Sequence, residues 1–321
     1  MATYFYIASQ DREGGILCCH FTEDGQLQLL HRVPVDRVAY LCAGAGKLYA
    51  LLREPFQMQS GVVTFRIKPD GSLVQEGPIL PVHGTISAHI LFHRGRLYTA
   101  NYLSGTTTWM PDHLLAHNGS SIDPERQDCS HPHCVTPAPG GGYLCINDLG
   151  TDHIYVCDLD LREVSRACVP AGHGPRHLVF SPDGRYAYCV NEMGASVSVF
   201  SWGPGRLTLL DTVSAIPEGY HGPASGSAIR LSADGKQLYI SLRGHNSVCK
   251  MDVTGAMVTP ERWIATGGES PREIWLEGEY LLCAHENSHD IQVISLKNGD
   301  SPVFVSSFPV IRPWCILPVT V

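Results

Sequence analysis

Four polar residues stand at the open ends of one predicted β-hairpin, where their side chains could act on the same ligand. In HGPRHLVFSPDGRYAYCVNE, Arg176 and His177 begin the first apolar strand, and Asn191 and Glu192 end the second. Because the turn falls at residues 182–184, an antiparallel pair puts residue 176 roughly opposite residues 191 and 192. A guanidinium beside a carboxylate can serve acid–base chemistry on an anion, or it can be a surface ion pair contributing about 0 to 1 kcal/mol.

Polar residues recur at the equivalent ends of the other predicted hairpins, whereas the strands between them are mostly apolar. They are His131 and His133 with Asn147 and Asp148 opposite, Ser227 with Arg243 opposite, Arg272 near His285 and Glu286, and His89 near Asn101. Several cations near one axis of an acidic chain repel each other unless an anion occupies the site. The pattern therefore favours a shared anion-binding pocket over isolated surface residues.

The His131-Pro-His133 pair offers a metal site as an alternative, since side chains at i and i+2 lie on one face of a strand. The neighbours expected there are Arg176 and Arg243, whose positive charges disfavour a bound cation. We therefore expect no metal and no other cofactor.

A repeated unit positions these residues: apolar strand, glycine turn, aromatic-rich strand, polar corner and alternating strand. Copies begin at His131, Gly174, Gly226 and Ser270, with weaker ones at Val38 and Ser87. The second strands begin near residues 4, 48, 97, 143, 186, 238 and 280, at spacings of about 42 to 52 residues, the range of four-stranded propeller blades. This predicts an all-β, seven-bladed β-propeller with antiparallel blades. A two-sheet sandwich or two smaller β domains is the alternative.

The chain ends predict how the ring closes. YFYIASQ, GGILCCHF and LQLLHRV resemble the second, third and fourth strands of a blade that lacks its first, and PWCILPV (residues 313–319) resembles a first strand without partners. The C-terminal strand is therefore expected to join the N-terminal blade, which removes exposed sheet edges. Residues 1–321 would then form a single domain. Residues 107–129 are interpreted as an irregular insertion crossing one face, either a partial lid or an ordinary surface loop.

Composition limits the class of protein. Apolar residues make up 44% and charged residues 17%, which is typical of a globular soluble chain. The formal net charge of −8 and the lack of Lys/Arg runs argue against nucleic-acid or membrane-surface partners. The 12 cysteines lie mostly at strand-like positions without paired spacing, which favours buried free thiols. The N-terminus lacks the features of a signal peptide, so we expect a cytoplasmic location, with the oligomeric state left open.

The motifs HPHCV, GPRHLVFSPDGRYAYCVNE, SAIRLSADGKQLYISLRGHNSV and SPREIWLEGEYLLCAHENSHDIQVI resemble the lactonase family of seven-bladed propellers. That family includes propeller-type 6-phosphogluconolactonases and carboxy-cis,cis-muconate lactonizing enzymes. The resemblance covers essentially the whole chain and implies a metal-independent catalytic site of His133, Arg176, Glu192 and Arg243. Residues expected to contact the substrate are His131, His177, Asn191, Arg272 and Glu286.

The sequence departs from the family pattern near this site. Ala228 stands where a glutamate is expected before Ile229 and Arg230, Leu242 stands where an asparagine is expected, and His285 with Glu286 replaces the usual Asn-Gln. The four expected catalytic residues are all present. The resemblance thus supports the fold and reaction type more closely than it specifies the substrate.

The resemblance implies hydrolysis of an acidic sugar lactone, with 6-phosphogluconolactone as the first expectation. Glu192 or His133 would take the proton from water, and Arg176 and Arg243 would bind an anionic group and stabilise the oxyanion. One alternative is cycloisomerisation of a muconate-type diacid. Others are a non-catalytic propeller that binds a partner and a metal-dependent lactonase.

Overall fold

The computed structural model describes residues 2–297, 299 and 301–321. Within these ranges the backbone is built from strands and turns and contains no helix, so no helix there could span a membrane. The strands are β1 (Thr3–Ser9), β2 (Ile16–Phe21), β3 (Leu27–Val33), β4 (Val38–Gly44), β5 (Lys47–Phe56), β6 (Gln59–Ile67), β7 (Leu73–Gln75), β8 (Leu80–Thr85), β9 (Ser87–His93), β10 (Arg96–Asn101), β11 (Thr106–Trp109), β12 (His113–Ala116), β13 (Pro132–Pro137), β14 (Tyr143–Asp148), β15 (His153–Asp158), β16 (Glu163–Cys168), β17 (Pro175–Phe180), β18 (Tyr186–Asn191), β19 (Ser196–Gly203), β20 (Arg206–Ser214), β21 (Ser225–Leu231), β22 (Gln237–Arg243), β23 (Ser247–Thr254), β24 (Met257–Ala265), β25 (Pro271–Glu277), β26 (Tyr280–His285), β27 (Asp290–Ser295), β28 (Val303–Pro309) and β29 (Pro313–Thr320).

These strands form seven antiparallel sheets, which are the blades of a propeller. Blade 1 has the order β29-β1-β2-β3, and blades 2 to 7 start from β4, β9, β13, β17, β21 and β25. These innermost strands contact one another in a closed ring, β25 meeting β29 and β29 meeting β4. The predicted seven-bladed propeller is confirmed, with one addition: β8 pairs with β6, so blade 2 has a fifth strand.

The predicted ring closure is also confirmed. Strand β29 pairs antiparallel with β1, from Thr3 opposite Thr320 to Ser9 opposite Pro313. The first and last strands of the chain therefore complete one sheet, and Ile316 packs with Phe5 and Ile7 in the apolar cluster between blades 7 and 1. No inner edge of blade 1 is left open to solvent.

Apolar packing holds the blades together at their junctions. The buried hydrophobic residues divide into seven clusters, and each cluster lies between two neighbouring blades. Between blades 5 and 6, for example, Tyr188 and Val190 pack with Ile240 and Met251. Because side chains alternate between the two faces of a strand, the central strands of each blade contribute apolar side chains to the junctions on both sides of that blade. Ten of the twelve free cysteines are buried, as expected, and Cys129 and Cys168 are exposed.

The innermost strands share an irregularity that shapes the ring axis. Each has a β-bulge near the end where its partner strand finishes, so that one residue, or two in blade 6, lacks a direct partner. A bulge of this kind re-aims a side chain and is common beside active sites. The extra residues, from blade 1 to blade 7, are Trp314, Ala39, Ala88, His133, Arg176, Ser227 with Ala228, and Arg272.

Two details of the sequence interpretation need correction. Residues 107–129 are not irregular throughout, because β11 and β12 form the outer half of blade 3 and only the part after Ala116 is a loop. The bulge in blade 6 also shifts the register, so that Ser225 rather than Ser227 lies opposite Arg243. Threonines and a tryptophan in β11 fit a strand, but the short β12 lies beside turn-forming residues that hide it in the sequence.

The closure strand should be needed for stability. Ile316 is 2% exposed, so Ile316→Asp would bury an unpaired carboxyl group and should lower the free energy of unfolding by more than about 3 kcal/mol. Thr320→Asp changes an exposed residue of the same strand and should shift it by less than about 0.5 kcal/mol. Urea unfolding of both variants checks this. Equal stability of the two would contradict the role assigned to β29.

Candidate active site

A cavity of about 360 Å³ opens on the ring axis, at the face where the bulges lie. All seven blades, or the loops beside them, contribute to its wall, which includes His133, Glu192 and Glu286. Five arginines also line it: Arg53, Arg126, Arg243, Arg272 and Arg312. The cavity therefore carries an excess of positive charge in a chain whose formal net charge is −8, which suits an anionic small molecule.

Glu192 is the centre of one charged cluster. Its Oε2 accepts a hydrogen bond from Nε of Arg176 at 3.0 Å and forms an ion pair with Nη2 of Arg243, also at 3.0 Å, and its Oε1 accepts a hydrogen bond from Nη2 of Arg126 at 2.6 Å. Burial alone would raise the pKa of Glu192, but Arg243 and Arg176 outweigh it and the pKa lies well below the usual range. The carboxylate is therefore ionised and fully engaged.

Arg126 reaches the cavity from the loop between β12 and β13. Asp123 Oδ1 accepts hydrogen bonds from the backbone N–H groups of Glu125 and Arg126 at 2.9 Å, and buried Gln127 donates to the Leu149 carbonyl. This anchoring aims Arg126 at Glu192, with its guanidinium half exposed. The lid interpretation of this loop was one of two alternatives, but sequence reasoning did not single out Arg126, since nothing local links it to residue 192.

His133 lies on the cavity wall with both ring nitrogens free of hydrogen bonds to the described residues, and its Nδ1 is buried. Its ring contacts Tyr102 and His177 edge to face, at centroid distances of 5.9 and 5.3 Å. Burial, followed by the charge of Arg176, lowers the pKa of His133 well below its ordinary value. His133 is therefore a neutral imidazole that can accept a hydrogen bond from a ligand.

A second charged cluster centres on Glu286. Its Oε2 pairs with Nη1 of Arg272 at 3.1 Å and its Oε1 with Nη2 of Arg312 at 3.0 Å. The guanidinium of Arg272 also stacks over the ring of Trp314, 3.6 Å from its centre. Arg272 and Glu286 were predicted from the sequence, whereas Arg312 and Trp314 were not. In the sequence they belong to an Arg-Pro-Trp run at the start of the closure strand. Only the closed ring brings this run to the cavity wall.

The remaining predicted site residues do not form the cavity wall. Arg176 lies behind Glu192, 3% exposed, and donates to the Ser227 carbonyl at 2.8 Å. Asn191 donates instead to the hydroxyls of two serines in its own blade. His131 donates from Nδ1 to the Tyr102 carbonyl at 2.8 Å and stacks on the Tyr102 ring. The sequence-based prediction that Arg176, Asn191 and His131 contact the substrate directly stays a prediction, and this geometry does not support it.

The carboxylate missing at Ala228 has a counterpart in the next blade. Arg230 Nη2 pairs with Glu273 Oε1 at 2.8 Å, and both side chains are largely buried. Burial raises the pKa of Glu273, although Arg230 opposes this shift. Glu273 of blade 7 thus provides the counter-charge for Arg230 of blade 6. The absence of a glutamate at position 228 therefore does not leave Arg230 unpaired.

Below the cavity, the ring axis is lined by neutral aromatic groups. His177 contacts His133 and His89 at centroid distances of 5.3 and 5.9 Å, and Tyr40 lies against His89 at 4.4 Å. Burial lowers the pKa of His177 well below its usual value and that of His89 to about 3, with the nearby arginines adding to both shifts. His177 therefore belongs to the channel beneath the site rather than to the cavity wall.

One group among the described residues has the ligands and spacing for a metal ion, and it lies beside the cavity. Its members are Asp128, Cys129 and His131, whose ligand atoms lie within 4.8 Å of one another. None of the three lines the cavity, and Asp128 and His131 already form an ion pair at 3.3 Å. The cavity wall itself, with its excess of arginines, disfavours a cation.

The chain matches one known family along almost its full length. The model of the family described as "Lactonase, 7-bladed beta-propeller" matches residues 4–318. The chain belongs to this family. Membership supports a lactonase-type hydrolase that acts on a small-molecule lactone. A Staphylococcus epidermidis protein without a described function is 31% identical over 309 residues, which are 88% of this chain and 90% of that protein.

Two solved structures superpose on almost the whole ring. A Bacteroides fragilis protein provisionally assigned as a 6-phosphogluconolactonase superposes with a TM-score of 0.89 and 27% identity, over 99% of this chain and 98% of the other. The periplasmic gluconolactonase PpgL of Pseudomonas aeruginosa gives 0.90 and 26% identity, over 99% of each chain. The resemblance inferred from the motifs is confirmed.

The channel histidines should make stability depend on pH. Unfolded His89 takes up a proton as the pH falls through about 6.5, whereas the folded side chain stays neutral until about pH 3. Between these values, falling pH should therefore destabilise the fold by about 1.4 kcal/mol per pH unit for this one group. In His89→Leu, the slope of unfolding free energy against pH should decrease by that amount.

Urea unfolding at pH 6.5, 5.5 and 4.5 measures this slope. Leucine retains an apolar body at a position where Nδ1 has no partner to lose. His20→Leu, which removes an exposed histidine of β2, is the matched control and should keep the wild-type slope. Parallel slopes for wild type and His89→Leu would contradict the neutral state assigned to His89.

Proposed function

We propose that the protein hydrolyses a lactone that carries an anionic group, with 6-phosphogluconolactone as the first candidate. The observation that carries the proposal is His133, a neutral imidazole with free nitrogens, beside an ionised Glu192 in a cavity with excess positive charge. Family membership and the similar B. fragilis and P. aeruginosa proteins support this reaction class.

His133 is the better general base of the two residues considered. Both oxygens of Glu192 already accept hydrogen bonds from arginines, and its pKa lies well below the usual range, so it has little capacity to take a proton from water. His133 has an available lone pair. The arginines that help to lower its pKa, Arg176 foremost, create a positive potential at the imidazole. The negative charge of a bound substrate would offset part of that potential and so raise the basicity of His133.

The reaction then proceeds with a balanced proton transfer. Water attacks the lactone carbonyl while His133 accepts its proton, a role that typically contributes about 10² to 10⁴ in rate. Arg243, which is held by Glu192, stabilises the negative charge on the carbonyl oxygen. The ring C–O bond breaks, the protonated His133 returns the proton to the departing alkoxide, and a hydroxy acid is formed. Arg176 holds Glu192 in place and does not touch the substrate.

The test is the opening of 6-phosphogluconolactone above its spontaneous rate, beside unphosphorylated gluconolactone, with and without a chelator. His133→Gln should lower kcat by about 10² or more, because it removes the proton acceptor. Glu192→Gln should also lower kcat/KM, since Arg243 and Arg126 lose their counter-charge. Arg185→Gln, on an exposed turn of blade 5, is the control for altered surface charge.

Each other outcome has a definite meaning. Full kcat in His133→Gln together with loss in Glu192→Gln would transfer the base role to Glu192. Loss of activity with a chelator would implicate the Asp128, Cys129 and His131 group and contradict a metal-independent reaction. No turnover of either lactone by folded protein would overturn the proposal. Product analysis with a muconate-type diacid would then test cycloisomerisation.

A further inference from the structure

The Glu192 cluster and the wall around Trp314 are built on different blades. Glu192 directly follows β18 of blade 5, whereas Arg53 lies in β5 of blade 2 and Trp314 lies in β29 of blade 1. In a ring of seven, blades 1 and 2 are each three blades away from blade 5, so they face it across the axis. The wall around Trp314 is therefore a separate part of the cavity from the site of the proposed proton transfer.

Trp314 organises three cations on this far wall. The guanidinium carbons of Arg272, Arg53 and Arg312 lie 3.6, 5.1 and 5.9 Å from the centre of its indole ring. Glu286 is the counter-charge for Arg272 and Arg312. Glu54, which pairs with Arg37, also acts on Arg53, so the guanidinium groups around this wall still outnumber the carboxylates.

Two donor groups on the same wall are incompletely satisfied. Among the described residues, the guanidinium of Arg53 makes no hydrogen bond or ion pair and only stacks near Trp314. Burial lowers the pKa of Arg53, because its charge is poorly solvated there, although Glu54 and Glu286 oppose this shift. The buried Nε1–H of Trp314 makes no hydrogen bond of good geometry, but it is directed toward Glu286 and helps to lower the pKa of that carboxyl group. Buried donors are normally satisfied, so a missing acceptor is indicated here.

We infer that Arg53, Arg312 and Trp314 form an anion subsite that binds a phosphate or carboxylate located on the substrate away from its lactone carbonyl. Guanidinium groups pair with such oxyanions through two parallel hydrogen bonds, and the indole N–H adds a neutral donor. The inference rests on the proposed function, which places the carbonyl beside His133. It assigns the anion of the substrate to the far wall instead of to Arg176 and Arg243.

The subsite is open toward the rim of the ring. Arg53 and Arg312 also border a second depression of about 480 Å³, whose wall includes Arg12 and Arg37 together with Asp11 and Glu54. A substrate can therefore extend past the subsite without meeting a closed wall. Recognition would depend on the distance between carbonyl and anion more than on the total length of the substrate.

Binding of three related acids tests the subsite without any need for turnover. Gluconate has one carboxylate, 6-phosphogluconate adds a phosphate at the other end, and glucarate adds a carboxylate there. Isothermal titration of the wild-type protein should show tighter binding of 6-phosphogluconate or glucarate, each with two anionic groups, than of gluconate. In Arg53→Gln that preference should fall roughly 10- to 100-fold, the effect of losing one hydrogen bond to a charged group. Arg312→Gln should act in the same direction.

Three controls keep the result specific. Arg53→Lys retains the charge and should recover part of the preference, Trp314→Phe removes only the indole N–H, and Arg185→Gln should keep the wild-type preference. Thermal unfolding establishes that each variant is folded. Stronger binding of 6-phosphogluconate than of glucarate would identify the group as a phosphate, and the reverse order as a carboxylate.

The outcomes separate the subsite from the proposed function. Suppose that the wild-type protein opens no lactone but prefers acids with two anionic groups, and that Arg53→Gln abolishes this preference. The subsite then stands and the reaction assignment fails. If wild type opens lactones and Arg53→Gln keeps the full preference, the reaction stands and the subsite fails. The absence of any preference among the three acids in wild type would also overturn the subsite.

Discussion

The buried carboxylate of Glu192 connects three parts of the ring. Arg176 belongs to its own blade, Arg243 comes from blade 6, and Arg126 comes from the loop before blade 4. Burial opposes the charged forms of Glu192, Arg176 and Arg126, so the cluster is stable only while opposite charges remain together. Removal of the carboxylate would leave Arg176 buried without its counter-charge, and breaking such a pair costs about 3 to 5 kcal/mol. The positions of Arg126, Arg176 and Arg243 therefore depend on this one side chain.

The second constraint is the bulge that every innermost strand repeats. Seven bulges around one axis place a side-chain position of each blade near the same opening, and residues of different types occupy these positions. In this chain small side chains, Ala39 and Ala88, occupy blades 2 and 3, whereas His133, Arg176 and Arg272 occupy blades 4, 5 and 7. The residues at the bulges therefore differ from blade to blade in size and charge. An asymmetric site is thus built on a nearly symmetric ring.

Local patterns predict the repeat well, because alternation and glycine turns are encoded within each hairpin. The predicted starts of the second strands lie within one residue of the observed ones, such as Thr3, Tyr143 and Gln237. Bulges are harder, since a single extra residue leaves the alternation nearly intact, and the pairing expected for Ser227 was therefore wrong. Arg126, Arg53 and Arg312 escaped prediction for a different reason. They approach the cavity from a loop, from the end of a second strand and from the closure segment, and only the closed ring brings these distant parts of the chain together.

The two clusters give a physical reason for coupling recognition to chemistry. An anion on the far wall reduces the positive potential that Arg272 contributes at His133, because Arg272 is among the cations that hold down the pKa of that imidazole. A lactone with the anion would therefore meet a stronger base than a neutral lactone of the same ring size. Binding energy from the remote anion would then appear in kcat as well as in KM, since the interaction changes the barrier and not only the affinity. Under the proposed function, selectivity for an acidic lactone would follow from the electrostatics of one cavity, with no moving part required.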